Sequence, residues 1–379
     1  MRSIPVSLYI HIPWCVKKCP YCDFNSHQKP EDLPEKAYID RLIQEVDHKK
    51  HLVGDRIIQT IFIGGGTPSL FQPESYAILF KALHQHLNIA SDAEITLEAN
   101  PGTVEQGLFK GFLDVGINRI SLGIQSFQDE KLRALGRIHS AAESMRAIDS
   151  AKNAGFSNFN LDLMYGLPKQ SIKDGLFDLE TALRFDPPHL SWYHLTLEPN
   201  TPFYKCPPSL PRDETIWDLQ DQGEQLLADH GYEHYEISAF SRENMQARHN
   251  LNYWQFGDYL GIGAGAHGKI TQTEPFSVLR QANVAPPRSY FTSEKIVQTE
   301  QTVSKKEMAL EFFMNTLRLS RPIFWKDFHE RAALQREDIE IPLQRAIQSK
   351  WIQVDSEKIV ATHLGRRFLN ELLELFYSK

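Results

Sequence analysis

The sequence predicts an α/β protein in which an incomplete (β/α)6 barrel precedes a small, winged-helix-like α+β module. Short apolar segments typical of buried strands alternate with longer amphipathic segments typical of helices. Alternation of this kind predicts a parallel sheet with right-handed crossovers. The sequence contains six such units, which are too few for a closed eightfold barrel. We therefore expect an open barrel with its functional site at the carboxyl ends of the strands.

The barrel is predicted over residues 1–240, where a helical segment separates each strand from the next. The predicted strands are residues 7–12, 60–63, 94–98, 119–124, 158–164 and 191–197. The predicted helices are residues 35–51, 73–86, 103–115, 141–154, 172–184 and 213–230.

The pattern loosens after the sixth strand, and two further regions are predicted. Residues 241–300 form a distinct region that ends in a connecting arm, because Pro275, Pro286 and Pro287 interrupt residues 271–300. The winged-helix-like module occupies residues 301–379. Its predicted elements are helices at 305–319, 325–333 and 341–349, a hairpin at 351–361, and a last helix at 364–377.

Composition excludes several classes of protein. The chain has 379 residues, 41% hydrophobic and 23% charged, as expected of a globular protein. No apolar run is long enough to span a bilayer, and the first residues do not resemble a signal peptide. A net charge of −7 argues against a nucleic-acid partner. Three of the four cysteines lie within eight residues, which favours metal binding in a reducing, cytoplasmic compartment over disulfides.

Cys15, Cys19 and Cys22 directly follow the first predicted strand with the spacing C-x3-C-x2-C. Thiolates are the usual protein ligands of iron–sulfur clusters, and three of them leave one iron of a [4Fe–4S] cluster open. The alternative is a structural zinc site, which normally takes four protein ligands in a closed tetrahedron. His11 or His27 could supply the fourth ligand, although neither has a familiar zinc-finger spacing. The triad therefore favours an open cluster.

Further polar or flexible residues fall at or near the predicted carboxyl ends of other strands. Residues 64–68, Gly-Gly-Gly-Thr-Pro, follow the second strand and offer backbone groups to a ligand. Glu98, Gln125 and Asp162 lie at or near the ends of three more strands. Each could be a satisfied polar residue in a barrel mouth, but together they predict one cleft lined with hydrogen-bonding groups.

The triad, with Tyr21 before its last cysteine, resembles the signature of the radical S-adenosylmethionine (SAM) superfamily. The resemblance implies a [4Fe–4S] cluster whose open iron binds the amino and carboxylate groups of SAM. The glycine run resembles the superfamily motif that contacts the methionyl amino group. The resemblance implies these SAM-binding residues: Tyr9, Tyr21, Gly65, Gly66, Thr67, Glu98, Gln125, Arg137 and Asp162.

Within that superfamily, most of the chain resembles the oxygen-independent coproporphyrinogen oxidase family and its HemW branch. The motifs that carry the resemblance are residues 9–13, 64–68, 98–101, 123–126, 162–168, 249–254 and 261–268. The oxidase has Gly-Cys after the last triad cysteine, whereas Asp23 and Phe24 follow Cys22 here. The His-Asn-x-x-Tyr-Trp block at 249–254 resembles the hallmark of HemW proteins, which are regarded as haem chaperones.

The HemW resemblance implies haem as a ligand. His249 offers an imidazole to the iron, and Tyr253 and Trp254 offer flat faces to the porphyrin. His267, in a glycine-rich turn, is a second candidate ligand. The alternative is that His249 is a capping residue beside two core aromatics. From these residues alone that alternative is the stronger, but the resemblance to HemW implies that His249 contacts haem.

Two functions are favoured, while a radical enzyme acting on another substrate and a DNA-reading role of the C-terminal module are further alternatives. The first is a haem chaperone that delivers haem to haem-requiring proteins such as respiratory membrane enzymes. It would be cytoplasmic and peripheral at the membrane through its client. The second is an oxygen-independent coproporphyrinogen III oxidase, in which a radical abstracts hydrogen from a propionate chain. Whether SAM is cleaved in turnover and whether the chain forms a homodimer are questions that the sequence leaves unanswered.

Overall fold

The structure, a computed structural model, describes residues 4–103 and 106–377. Within these ranges one sheet of 12 strands organises the molecule. In chain order its strands are β1 (Val6–Ile12), β2 (Ile57–Gly65), β3 (Asn88–Ala99), β4 (Arg119–Gln125), β5 (Phe159–Tyr165), β6 (His189–His194), β7 (Glu233–Glu236), β8 (Ala239–Ser241), β9 (Asp258–Ile262), β10 (His267–Thr273), β11 (Phe276–Asn283) and β12 (Val297–Thr302). Their order across the sheet is β12-β11-β10-β9-β1-β2-β3-β4-β5-β6-β8-β7.

Strands β1 to β6 are the six predicted strands, and they pair parallel with one another, whereas β8 pairs antiparallel with the outer side of β6. Strand β9 adds a further parallel strand beside β1. Within the described ranges β12 and β7 are the outermost strands and do not pair with each other, so the sheet does not close. The prediction of an incomplete barrel is confirmed. Parallel strands also bring the carboxyl ends of β1 to β6 to one edge, where the candidate site lies.

The two faces of β1 show how the sequence positions that site. Leu8, Ile10 and Ile12 are fully buried on the face that packs in the main hydrophobic core. Successive side chains of a strand point to opposite faces, so Tyr9 and His11 point into the barrel instead. The interior of the barrel is therefore lined by polar and aromatic groups, whereas its outer face is apolar.

Helices connect the parallel strands, and most of them cover the outer face of the sheet, whereas α9 packs against the inward face, where His249 contacts Thr60 and Phe62. They are α1 (Glu35–Lys49), α2 (Pro73–His86), α3 (Gln106–Asp114), α4 (Asp129–Ala134), α5 (Ala141–Ala154), α6 (Ile172–Leu183), α7 (Pro202–Lys205), α8 (Asp213–Asp229), α9 (Arg248–Trp254) and α10 (Pro287–Thr292). Helices α2 and α5 have the predicted bounds. Helix α5 begins with a capping box, in which Ser140 Oγ accepts a hydrogen bond from the Glu143 amide. Of the helix predicted at 103–115, residues 104 and 105 lie outside the described residues.

The segment predicted as a connecting arm differs from that expectation. Residues 271–300 contain the end of β10, all of β11 and most of β12, which pair antiparallel and extend the sheet beyond β9. The prolines lie between these elements or at their ends: Pro275 precedes β11, and Pro286 precedes α10. Proline is compatible with such positions because it removes no hydrogen bond from the ladder there.

The C-terminal module contains helices and a small antiparallel sheet, as predicted. Its helices are α11 (Lys305–Thr316), α12 (Trp325–Ala332), α13 (Glu340–Gln348), α14 (His363–Arg367) and α15 (Leu369–Glu374). Its strands are β13 (Ile323–Phe324), β14 (Ile352–Val354) and β15 (Lys358–Ala361). The single last helix predicted at 364–377 is wrong, because Phe368 leaves helical geometry at ψ 43° and divides it. No helix in the described ranges is sufficiently long and apolar to cross a membrane.

The module has its own hydrophobic core and also contacts the sheet extension. Phe312, Phe313 and Phe328 are buried together at its centre. Arg280 on β11 forms an ion pair with Glu311 on α11. These contacts bring α11 over the face of β10 to β12 that continues the barrel interior.

Candidate cofactor site and adjoining cavity

The three predicted cluster ligands lie on one loop that follows β1. Cys15, Cys19 and Cys22 are all half-buried and line one cavity of about 490 Å³. The loop is held by backbone hydrogen bonds from Lys29 to Cys15 (2.8 Å) and from Cys22 to Cys19 (3.2 Å). Among the residues that the structure describes, no group of three or more histidine, cysteine or acidic side chains is arranged to hold a metal ion. The thiols nevertheless share one space that is larger than a single ion needs.

The three thiols differ in their surroundings. Burial raises the pKa of Cys15 and Cys22 above the ordinary value for a thiol. Arg137 donates from Nη1 to Cys19 Sγ over 3.7 Å, so a positive charge lies beside that sulfur. Thiolates rather than thiols are the metal ligands. Without bound metal the site therefore favours protonated Cys15 and Cys22, and metal binding would have to release their protons.

The glycine run closes one wall of the same cavity, and two of its glycines are required sterically. Gly65 has φ +113°, and a Cβ there would lie 2.5 Å from the His11 ring. A Cβ on Gly66 would lie 2.5 Å from the Trp14 carbonyl oxygen. The Thr67 amide donates to the same Trp14 carbonyl at 2.7 Å. These glycines therefore allow β2 to approach the cysteine loop, in addition to lining the cavity with Thr67.

Two predicted carboxylates meet on the floor of the cavity. Glu98 accepts a hydrogen bond from the Gly65 amide at 3.0 Å. Burial, together with the nearby charge of Asp162, raises the pKa of Glu98 to about 7. Burial also raises the pKa of Asp162, which accepts hydrogen bonds from Ser121 (2.9 Å) and Asn160 (2.8 Å). Paired buried carboxylates of this kind favour a cationic ligand.

The remaining predicted residues of this cavity lie on its other walls. Gln125 Oε1 accepts a hydrogen bond from the Tyr193 hydroxyl at 2.7 Å. Arg137 donates to Asn100 Oδ1 at 2.6 Å and to the Gly123 carbonyl at 2.9 Å. Tyr21 also lines the cavity. The structure thus brings together all of the predicted SAM-binding residues except Tyr9.

Tyr9 lines a second cavity of about 750 Å³, where it is joined by Tyr253, Trp254 and His267. Its hydroxyl is hydrogen-bonded to His11 Nδ1 at 3.0 Å. The two cavities share four lining residues: Asp23, Phe24, Gly65 and Glu98. They are therefore adjacent chambers of one barrel mouth.

His249 lines neither of these two cavities. It is 1% exposed on α9, with Nδ1 2.8 Å from Thr60 Oγ1 and Nε2 2.9 Å from the Tyr253 hydroxyl. Thr60 donates its hydroxyl proton to Ser7, so His249 Nδ1 must carry a proton and Nε2 must accept one from Tyr253. Both ring nitrogens are thus engaged by the protein. This environment is that of a buried histidine with both nitrogens hydrogen-bonded, although its side chain does not cap α9 as the alternative from the sequence supposed.

Several residues of the two cavities were not singled out from the sequence. They are Asn100, Ser121, Tyr193 and His194 in the first cavity and Tyr259 in the second. Asn100 and Ser121 lie two residues from Glu98 and Gly123, which were noted. The period-2 alternation of strands could have identified them as members of the same inward face. Tyr259 lies on β9, for which no strand was predicted.

Comparison with known families follows the division of the chain into barrel and module. The family model of the radical SAM superfamily matches residues 9–180 of this chain. The family model of the HemN C-terminal domain matches residues 303–368. The fold also resembles that of coproporphyrinogen III oxidase (HemN) from Escherichia coli, with a TM-score of 0.84 at 22% identity, covering 99% of this chain and 91% of that one. The class of the protein is thus a radical SAM protein with a HemN-type C-terminal domain.

Curated relatives narrow this class. The chain is 48% identical to the heme chaperone HemW of Haemophilus influenzae, over 99% of this chain and 98% of that protein. It is 46% identical to heme chaperone HemW of Escherichia coli, over 99% of both chains. The Bacillus subtilis heme chaperone HemW is 34% identical over 98% of this chain and 99% of its own. The chain belongs to the HemW family, as the sequence motifs predicted.

Proposed function

We propose that this protein is a haem chaperone that carries a [4Fe–4S] cluster, binds SAM beside it, and delivers haem to haem-requiring proteins. The observation that carries the proposal is the pair of adjacent chambers at the barrel mouth, one lined by the cysteine triad and the other by aromatic side chains. The names of the curated relatives support haem as the cargo.

The residues of the first cavity fit the cluster. Three thiols of one loop face the same space, and Arg137 places a positive charge beside Cys19. Cys15, Cys19 and Cys22 would hold three irons of the cluster. When bound, a cluster with one open iron supplies a site for the amino and carboxylate groups of SAM and a single electron.

The surrounding residues would bind and orient SAM. Glu98 and Asp162 would attract its cationic groups and accept hydrogen bonds from its amino and hydroxyl groups. The ligand's carboxylate would pair with Arg137, whose planar fork suits that geometry. The remaining residues proposed to contact SAM are Tyr9, Tyr21, Gly65, Gly66, Thr67 and Gln125.

Haem would occupy the second chamber, beside Tyr253 and Trp254. Of the two predicted haem contacts, His267 would face haem directly, and His249, which lines neither cavity, would act through its hydrogen bond to Tyr253. The recipient would be a haem-requiring protein such as a respiratory membrane enzyme. The chaperone would then be cytoplasmic and reach the membrane only through its client.

The C-terminal module has 13 basic and 11 acidic residues from Thr302 to Lys379, a balance that favours a scaffold over a nucleic-acid reader.

The test begins with anaerobic reconstitution of the cluster, followed by titrations with SAM and with ferric haem monitored by calorimetry and absorption. The wild type should bind one cluster, SAM and haem. Cys19→Ser should lose the cluster and SAM binding, whereas Cys206→Ser, at the exposed fourth cysteine, should behave as the wild type.

Two results would contradict the proposal. Absence of saturable haem binding by the cluster-loaded wild type would remove the chaperone function. Oxidative decarboxylation of coproporphyrinogen III by the same preparation would favour the oxidase instead.

A further inference from the structure

A single row of residues crosses the sheet beneath the second cavity, and four of its members line that cavity: Tyr9, His267, Ala282 and Thr299. The registers pair Tyr9 with Gly261, His267 with Ala282, and Ala282 with Thr299. Gly261 also lies against the His267 backbone, because a Cβ there would lie 1.9 Å from its carbonyl oxygen. From β1 to β12 the row crosses four strand spacings, or about 19 Å at about 4.8 Å per spacing.

The small residues of this row leave room for a flat ligand. Gly261 and Ala282 lie on either side of His267 in the sheet, and Ala282, which lines the cavity, has only a methyl side chain. Aromatic rings stand at one end of the cavity, where Tyr253 and Tyr259 pack edge to face with centroids 4.5 Å apart. A floor of small residues beside aromatic walls suits a planar, largely apolar ring.

His267 offers a free imidazole to this cavity. Its side chain is exposed, and in the part of the chain that the structure describes it makes no side-chain hydrogen bond. Burial of part of the ring and the nearby charge of Arg280 lower the pKa of His267, which keeps the imidazole neutral near pH 7. The neutral form is the one that binds iron. In His249, by contrast, both nitrogens are engaged and the ring is buried.

We propose that haem binds in the second cavity with His267 as the protein ligand to its iron, and that His249 acts as a positioning residue for Tyr253. This assignment rests on the proposed function, because it requires that the chain binds haem. Haem would contact Ala282, and Tyr253 and Trp254 would supply the aromatic walls of its site. Thr299, Gln298 and Asn315 at the far side provide polar groups for its carboxylates.

The role of His249 follows from its hydrogen bonds. The Tyr253 hydroxyl donates to His249, which in turn donates to Thr60 on β2. This chain fixes the Tyr253 ring as a wall of the cavity. His249 thus contributes to haem binding through the tyrosine and without contact with the iron.

The first test compares ligation in single variants of the cluster-loaded protein titrated with ferric haem. His267→Ala should lose the histidine-ligated Soret and electron paramagnetic resonance spectra and bind haem about tenfold more weakly or worse. Added imidazole should restore the spectrum, because it replaces the missing side chain. His249→Ala should keep the wild-type ligation signature. His48→Ala, at an exposed histidine on α1, controls for adventitious binding.

The second test fills the cavity. Ala282→Trp should abolish saturable haem binding while SAM binding is unchanged, because the first cavity does not include residue 282. Gln281→Trp is the matched control, since neighbouring strand residues face opposite sides.

The outcomes separate this assignment from the proposed function. If the wild type binds no haem, the proposed function itself fails. If the wild type binds haem but His267→Ala keeps the same spectrum, or Ala282→Trp the same affinity, the assignment to this cavity and ligand is overturned and the chaperone function stands.

Discussion

The Tyr253 hydroxyl is hydrogen-bonded to His249 Nε2 at 2.9 Å. This bond connects a wall residue of the second cavity to a buried residue in the interior of the barrel. The hydrogen bond leaves no free nitrogen on His249, because Nδ1 is bonded to Thr60. Sequence motifs connect His249 with haem, but in the structure His249 holds a residue of the cavity wall in place and does not line the cavity itself. Its effect on haem would be transmitted through one aromatic ring.

His249 should affect the stability of the fold and its dependence on pH. Burial and the charge of Arg119 lower the pKa of His249 to about 3. Between pH 6.5 and about 3, His249 is protonated in the unfolded chain but neutral in the native state. The free energy of unfolding therefore falls as the pH is lowered through this range. From pH 7 to pH 5 this histidine alone should remove about 2 kcal/mol.

Urea unfolding at several pH values would measure this effect. His249→Gln should be less stable than the wild type at pH 7 by about 1–3 kcal/mol, because Thr60 and Tyr253 lose their partner. It should also show a shallower decline towards pH 5. Equal slopes for the two proteins would mean that His249 is not buried as a neutral ring.

Glu98 should make SAM binding depend on pH near neutrality. Its pKa of about 7 means that a substantial fraction of the carboxyl is protonated at pH 6.5 and that most is ionised at pH 8. Since the ionised form attracts the cationic ligand, affinity should rise with pH through this interval in the wild type. Glu98→Gln, which cannot ionise, should bind more weakly at pH 8 and show a flat profile. Calorimetric titration at pH 6, 7 and 8 would test this, and an unchanged slope in the variant would assign the titration to another group.

Arg137 should influence both the cluster and SAM. Its guanidinium is beside Cys19 Sγ and is oriented by Asn100. Loss of this charge in Arg137→Gln should lower the cluster reduction potential, because an electron added to the cluster loses a nearby positive charge. It should also weaken SAM binding about tenfold, or about 1.4 kcal/mol. Arg137→Lys should recover part of the potential but less of the affinity, since lysine lacks the planar fork. Redox titration with Arg133→Gln as a surface control would test this expectation.

Gly66 should be required for assembly of the cysteine loop. A Cβ at this position meets the Trp14 carbonyl at 2.5 Å, and Trp14 directly precedes Cys15. Gly66→Ala should therefore displace the loop and reduce the iron retained after reconstitution to well below the wild-type amount. Gly107→Ala on α3, where a Cβ meets nothing within 4 Å, should retain full iron content. Full iron in Gly66→Ala would show that the loop relaxes without consequence.

Local sequence patterns were sufficient to predict the parallel core of the fold. Each strand from β1 to β6 has enough apolar residues to identify it, and the bounds of α2 and α5 follow from helix-start signals such as the Ser140 cap. The antiparallel extension was missed because the polar strand β12 is almost entirely exposed and has no apolar alternation. Strand β12 forms because it pairs with β11, and its own sequence has no pattern that predicts a strand.

The candidate site likewise contains residues that local sequence patterns predicted and one residue, Tyr9, whose position they did not predict. The cysteine spacing, the glycine run and the polar residues at strand ends are local features, and parallel strands bring their carboxyl ends together by topology alone. Tyr9 was expected beside these residues, but it lies in the second cavity. Its position depends on how β9 and β10 extend the sheet beyond β1.

The sequence by itself determined the superfamily, the order of the barrel strands and eight residues that share the first cavity with the cysteine triad, because these depend on spacing and alternation along the chain. The tertiary structure decided which histidine is available to a ligand. His249 and His267 are equivalent as letters in the sequence, yet one has both nitrogens bonded in the interior and the other faces an open cavity. Burial and hydrogen bonding are set by residues distant in the chain, such as Thr60 for His249. Only the folded arrangement brings those partners into contact.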